Sequence, residues 1–517
     1  MDIEFPVDPE TGKPSSVFFG KTLISQALNA VNPTAAQEVL TDKKFRGGSY
    51  QKHIVKTLEE GCQSKDACMK IARNGIKYVY ESMQCVRSDG SKVALKHAIS
   101  EGPSHSLKTR SVKGVGQRRG TFKVPYKNSA LQRESLRKQI KKWNDMGVIE
   151  PTAAESFNNF LERETEYLES MREHLFVVMG AGAAMGPFKI LLDLGLNVVA
   201  VDLNRPQIWD KLIDYAQKSP GQMFFPERED GTYGANLITE ISSIAKWLAK
   251  LKPTCSMTIG NYAYVDGGLF VKIACAQDAI SQYVYKNRHT PSSLAYLCSP
   301  TDAFLWPKLA VEAATNAFQN RGVLSKLSNS ISFDRFCKPI VDQMPDPIDD
   351  NYIIECFVTQ QGPNYAVAKR IQHWRALVAR EDDGVAVSTN IAPSSSTTSV
   401  TSNSLLAAAY DGTEYFPPIE IFEPETSNHV MTAMMLNDIC DKHSVAYPNG
   451  KQLKNPLYLF SEGSWHGGFW RTPFQLSSLV ELSAVIGLTE KYLSYLALAV
   501  GLVFVGIRHS RRGASRL

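Results

Sequence analysis

The sequence predicts an α/β fold built on a doubly wound parallel sheet, on two observations. From Leu175 to about Pro393, short apolar runs suited to buried strands alternate with stretches of helical spacing. Such alternation implies a parallel sheet covered by helices on both faces. Second, residues 175–202 read in order as strand, glycine-rich loop, helix, strand and terminal acid.

The elements follow along the chain. Strand candidates are LFVVM (175–179), NVVAV (197–201), TCSMTI (254–259), SLAYLC (293–298), YIIECFV (352–358) and VAVSTNI (385–391). ISSIAKWLAKL and YAVAKRIQHWRALVAR are expected to be helices between them. Upstream, IVKTLEEGCQSKDACMKIARNGIKYVYESM has helical spacing. LQRESLRKQIKKWNDMGVIEP reads as a helix stopped by Gly147 and Pro151, and AAESFNNFLERETEYLESM as a further helix. At 517 residues the chain is too long for one compact core. The expected units are a mainly helical region (1–105), a basic connector with helices (106–165), the nucleotide-binding unit (166–475) and a hydrophobic helix with a basic tail (476–517).

Bulk properties exclude more than they assign. Net charge is only +5, so overall charge implies no partner. The nine cysteines form no C-x-x-C pair, which suggests reduced, mostly buried thiols and an intracellular location. The histidines show no metal-ligand cluster, and no metal is expected. Neither a G-x-S-x-G elbow nor a P-loop is present, against a hydrolase or P-loop enzyme. Residues 104–142 are rich in Lys and Arg but poor in stacking aromatics, so nucleic acid is not expected. That stretch reads as an exposed connector and a solvated helix face, or as a surface for anionic lipid headgroups. At the C-terminus, Tyr492–Ile507 is an uncharged apolar run of 16 residues with a basic flank. It reads as a membrane tail anchor or as a buried or interfacial helix. Ser515-Arg516-Leu517 resembles a peroxisomal address.

After LFVVM, Gly180, Gly182 and Gly186 make a tight turn, with Ala183 and Met185 between them. Glycines serve there because side chains would keep the backbone from a pyrophosphate, and the next helix aims its N–H groups at the negative charge. Asp202 ends the second strand, 22 residues beyond Gly180. There an acid accepts hydrogen bonds from ribose hydroxyls. The expected ligand is NAD or NADP. Asp202 would repel a 2′-phosphate and favours NAD, although Arg205 could reach such a phosphate. S-adenosylmethionine, bound by methyltransferases with a similar loop and acid, is the rival.

Tyr365 and Lys369 are four apart and so share a helix face. An ammonium one turn away would lower the phenol's pKa from about 10, letting tyrosine shuttle a proton to or from a substrate oxygen. The other Y-x-x-x-K pair, Tyr447 and Lys451, spans Pro448 and Gly450 and cannot be a regular helix. After the Tyr365 segment comes V-S-T-N-I-A-P-S-S-S-T-T, with Asn390, Pro393 and Thr397 or Thr398. His373 and Trp374 read as helix-face residues. TIGNYAYVDGG (258–268) should lie at the carboxyl edge of the sheet, as a turn or as a substrate contact.

Taken together, residues 175–405 resemble the short-chain dehydrogenase/reductase family, a Rossmann-like fold. The resemblance implies Tyr365 as acid/base, Lys369 as its partner and a hold on the nicotinamide ribose. It implies that the Asn390–Pro393–Thr397 loop contacts the nicotinamide carboxamide. This sequence departs from the family in a longer Gly180–Tyr365 span, in Ser394 after the proline and in lacking a serine about a dozen residues before Tyr365. Thr359 and Ser299 are the candidate substitutes, and Asn261 the candidate for the family's proton-relay asparagine. The implied activity interconverts a carbonyl and an alcohol on a small molecule, a lipophilic one if the tail enters a membrane. The alternatives are a methyltransferase and a non-catalytic, nucleotide-binding sensor or scaffold at a membrane.

Overall fold

Two strands fix the centre of the molecule. Every residue of Leu175–Met179 and of Asn197–Val201 is buried, as a strand covered on both faces requires. We number the central strands β1 (Lys108–Lys113), β2 (Leu175–Met179), β3 (Asn197–Val201), β4 (Gln222–Glu227), β5 (Met257–Asn261), β6 (Ser292–Tyr296) and β7 (Ala386–Ser388). They lie in the order β7-β6-β5-β2-β3-β4-β1. The pairs from β7 to β4 are parallel, and β1 is antiparallel to β4 at the edge. Counted along the chain, the six parallel strands run 3-2-1-4-5-6, the order of doubly wound dinucleotide-binding sheets. The chain changes direction between β2 and β5. A crevice outside their carboxyl ends is where sheets of this kind bind ligands. The computed structural model describes residues 1–102, 106–118, 120–321, 336–343, 348, 351–358 and 361–489.

Alternate residues of β2 feed two cores. Phe176 and Val178 face the helices Pro151–Ser170, Phe188–Asp193, Pro206–Lys218 and Pro424–Cys440. Leu175, Val177 and Met179 face Ile241–Lys250, Gly268–Asn287 and Gly362–Glu381. The N-terminal region is mainly helical, as its spacing predicts, and its core is continuous with this second face. Its helix Lys65–Ser82 lies on Gly362–Glu381, where Gly75 sits against the Trp374 ring. Arg73 pairs with Asp382 at 2.6 Å and Lys65 with Glu381 at 2.6 Å across the same contact.

Several expectations need correction. YIIECFV does not join the parallel sheet: Tyr352–Glu355 pairs antiparallel with Ala303–Trp306 in a separate two-stranded sheet. Apolar runs alone do not say which sheet a strand enters. β4 has no counterpart among the strand candidates, because Pro226 interrupts its apolar run. β1 lies within the basic stretch expected to be a connector, so part of that stretch is sheet edge, where charged side chains suit an exposed strand. Much of its charge is neutralised locally, Arg110 by Glu227, Arg118 by Glu164, Arg137 by Glu162 and Lys141 by Asp145. Gly147 ends the Arg133–Met146 helix at φ +79°, but Pro151 opens the next helix rather than stopping the last. All nine cysteines are free. The apolar run 492–507 and the terminal tripeptide lie outside the described residues. Among the described residues no helix is long and apolar enough to cross a membrane.

Candidate functional site

The loop after β2 is shaped by a close crossing. Gly180 has φ +93°, and a Cβ on it would stand 2.6 Å from the Ala263 backbone. The loops leaving β2 and β5 therefore touch at the switch point, and only glycine allows it. Gly182 is exposed, and its N–H donates to Asp202 Oδ2 at 2.8 Å. The Leu203 N–H donates to Oδ1 at 2.7 Å. Each carboxylate oxygen keeps lone-pair capacity, and Asp202 is half-buried beside the loop. Ala183 donates to Gly180 O at 3.0 Å and Gly186 to Ala183 O at 3.3 Å, closing the turn. A Cβ on Gly186 would meet nothing nearer than 3.5 Å, so packing within the chain does not demand glycine there. The following helix, Phe188–Asp193, has only six residues and begins after Pro187. The helix expected to aim its N–H groups at a phosphate is thus only a turn and a half long. Whatever the loop offers an anion comes from its own amides.

Tyr365 and Lys369 lie one turn apart on Gly362–Glu381, over the carboxyl ends of β5 and β6. The Tyr365 ring packs 6.0 Å from Tyr264 and 5.6 Å from Phe270, both of which follow β5. The Ser299 hydroxyl, just beyond β6, lies near enough to lower the Tyr365 phenol against the effect of burial, and it bonds the Thr301 hydroxyl at 2.9 Å. Lys369 Nζ donates to the Leu297 carbonyl at 2.9 Å and to Gln372 Oε1 at 3.3 Å, and stands 5.7 Å from the centre of the Tyr365 ring. Burial holds the Tyr365 phenol above its ordinary range and Lys369 below its own. This is opposite to the expected lowering of the phenol by a charged lysine, because desolvation is the largest effect on both groups. At neutral pH the phenol is a hydrogen-bond donor. Thr359 lies outside the described residues. Asn261 is buried at the end of β5 and accepts from Ser281 Oγ at 3.3 Å. His373 and Trp374 are buried packing residues, with the His373 ring stacked on Phe460 at 4.4 Å.

Between these two groups, the crevice holds a cavity of about 20 Å³, room for one water-sized group. Met185 and Pro187 wall it from the glycine loop, Tyr262 and Leu297 from the strand ends, Ser388 and Asn390 from β7 and its exit. The helix Pro424–Cys440 closes it with Met431, Thr432 and Met435. Asn428 on that helix holds the glycine loop through the Ala184 carbonyl at 2.7 Å, and the Tyr262 hydroxyl donates to the Met435 sulfur at 3.3 Å. Asn390 Nδ2 donates to Ser388 Oγ at 3.1 Å and to Asp438 Oδ2 at 2.6 Å; the Ser388 hydroxyl donates to the same oxygen at 2.6 Å. Burial raises the Asp438 carboxyl to about 6, against the lowering effect of those two hydrogen bonds. Pro393 is buried and Thr397 precedes a short helix; neither is a wall of the cavity.

A nicotinamide dinucleotide fits the donor set: an exposed glycine turn, an acid with free lone pairs, and polar side chains at the far strand ends. It does not fit the cavity volume unless the three methionines move. Their unbranched side chains change rotamer at low cost. Tyr262 belongs to the TIGNYAYVDGG segment expected at the carboxyl edge, whereas Ser388, Asn428 and Asp438 are not among the sequence candidates. The legible signal was Pro424–Cys440, a methionine-rich helix with only Glu425 and Asp438 as acids and no Lys or Arg. A helix without a strongly charged face is suited to burial. The chain matches no protein-family model and no curated protein.

Proposed function

We propose that the chain is an NAD(P)-dependent oxidoreductase of short-chain type, interconverting a carbonyl and an alcohol at the carboxyl edge of the sheet. One observation carries the reading. Ser299, Tyr365 and Lys369 meet beyond the end of β6, on the same edge as the glycine turn and Asp202. When bound, the nicotinamide would supply or accept hydride. Gly180, Gly182 and Gly186 would admit the phosphates, and Asp202 the adenosine ribose. Ser299 would hold the substrate oxygen, and the protonated Tyr365 would donate its phenolic proton to that oxygen in the reducing direction. Lys369, hydrogen-bonded to Leu297 on the cavity wall, would link the phenol to the cofactor end. NADH, NADPH and S-adenosylmethionine should be compared by calorimetry on the full chain. Binding of NADH or NADPH without S-adenosylmethionine supports the reading, and the reverse transfers it to the methyltransferase. The closed cavity favours a second reading, a nucleotide-binding protein without turnover. For that reading the nucleotide binds but no carbonyl compound is reduced.

A further inference from the structure

Seven carboxylates are buried among the described residues, and six of them face a cation. Asp278 pairs with Arg375, Asp302 with Arg370, Glu150 with Arg471 and His466, Glu164 with Arg118, Glu227 with Arg110 and Glu420 with Lys127. Asp438, at 5% exposure, has no ion pair among the described residues. An unpaired buried acid is costly, so its hydrogen bonds indicate what it does.

Those bonds set the polarity of the cavity wall. The Ser388 hydroxyl spends its only proton on Asp438, and the two Asn390 amide protons go to Ser388 and Asp438. Thr432 likewise donates to the Asn428 carbonyl at 2.7 Å. What Ser388 and Thr432 have left for the cavity is lone pairs. We propose that Asp438 is a positioning residue that turns this wall into hydrogen-bond acceptors, so that it admits a primary carboxamide and rejects a carboxylate in the same place. The inference rests on the dinucleotide reading above.

The test compares NAD with its analogue carrying nicotinic acid in place of nicotinamide, using ADP-ribose as a probe of the adenosine end alone. Wild type should prefer the amide by about tenfold or more, the effect of facing acceptors with an acceptor. Asp438→Asn should bring the two within about threefold while ADP-ribose affinity holds, and Asp438→Glu should restore part of the preference. Ser388→Ala should lose it too, which keeps the test open if Asp438→Asn does not fold. A preference that is absent in wild type, or unchanged in both variants, overturns the inference and leaves the cofactor reading standing. Failure of NAD and ADP-ribose alike to bind overturns both.

Discussion

The two ends of the crevice are built differently. At the Asp202 end the parts are main chain: an exposed glycine turn, two amides and one half-buried acid. At the β6–β7 end they are buried side chains drawn from four separate elements and closed over by a helix. The first arrangement needs only a few neighbouring residues and stays open to solvent. The second depends on the whole fold and has to rearrange before anything larger than a water can enter. Recognition of a nucleotide would thus begin at the open end and be completed at the closed one.

That contrast can be broken most severely at Tyr365. Tyr365→Phe removes the proposed proton donor and leaves the packing with Tyr264 and Phe270. Turnover should fall by about 10²–10⁴, with NADH and ADP-ribose affinities unchanged. A variant as active as wild type would end the proton-donor assignment. Asp438 comes next. Its folded value is raised from 3.8 to about 6, so the stability linked to its proton is present below 3.8 and lost as pH rises through 6. The loss amounts to roughly 3 kcal/mol, discounting any repacking. Denaturant unfolding from pH 4 to 7 should show wild type weakening relative to Asp438→Asn; parallel curves would mean that the acid does not titrate there.

Smaller effects belong to the open end. Asp202→Ala removes the acceptor of two amides and the proposed acceptor of the ribose, at about 1.5–3 kcal/mol for a charged hydrogen bond. NADH and ADP-ribose should weaken together by tenfold or more, and the preference over NADPH should narrow. If ADP-ribose binds as before, the ribose is held elsewhere. The smallest effect is expected at the gate. Met435→Leu conserves volume and should change stability by less than about 1.5 kcal/mol. Because leucine is branched and offers no sulfur to Tyr262, NADH should associate more slowly while ADP-ribose does not. Equal rates would show that the methionines do not govern entry.

The open end was legible in the sequence because its parts are contiguous. Gly180, Gly182, Gly186 and Asp202 lie within one strand–loop–strand unit, where spacing alone brings them together. The closed end was only half legible. Tyr365 and Lys369 share a helix face, and Ser299 follows a recognisable strand, yet the pairing of Tyr365 with Ser299 spans an insertion whose length the pattern does not explain. Asp438 escaped notice because a lone acid in a helix reads as a solvated face until the burial of that helix is known. The direction of the Tyr365 shift is hidden for a related reason: sequence spacing brings a lysine near, but only packing shows how thoroughly both groups are dried. Likewise YIIECFV has the composition of a sheet strand, and its partner strand, not its own residues, takes it out of the sheet.

Gly75 has a consequence for heredity. A methyl group there would come 2.2 Å from the Trp374 ring, on the helix that bears Tyr365 and Lys369. The first hundred residues therefore cannot be traded as a module, since a fragment beginning after them would leave that helix with a bare flank. Substitutions in Lys65–Ser82 and in Gly362–Glu381 must be inherited as matched sets, and the two regions should melt in a single cooperative transition.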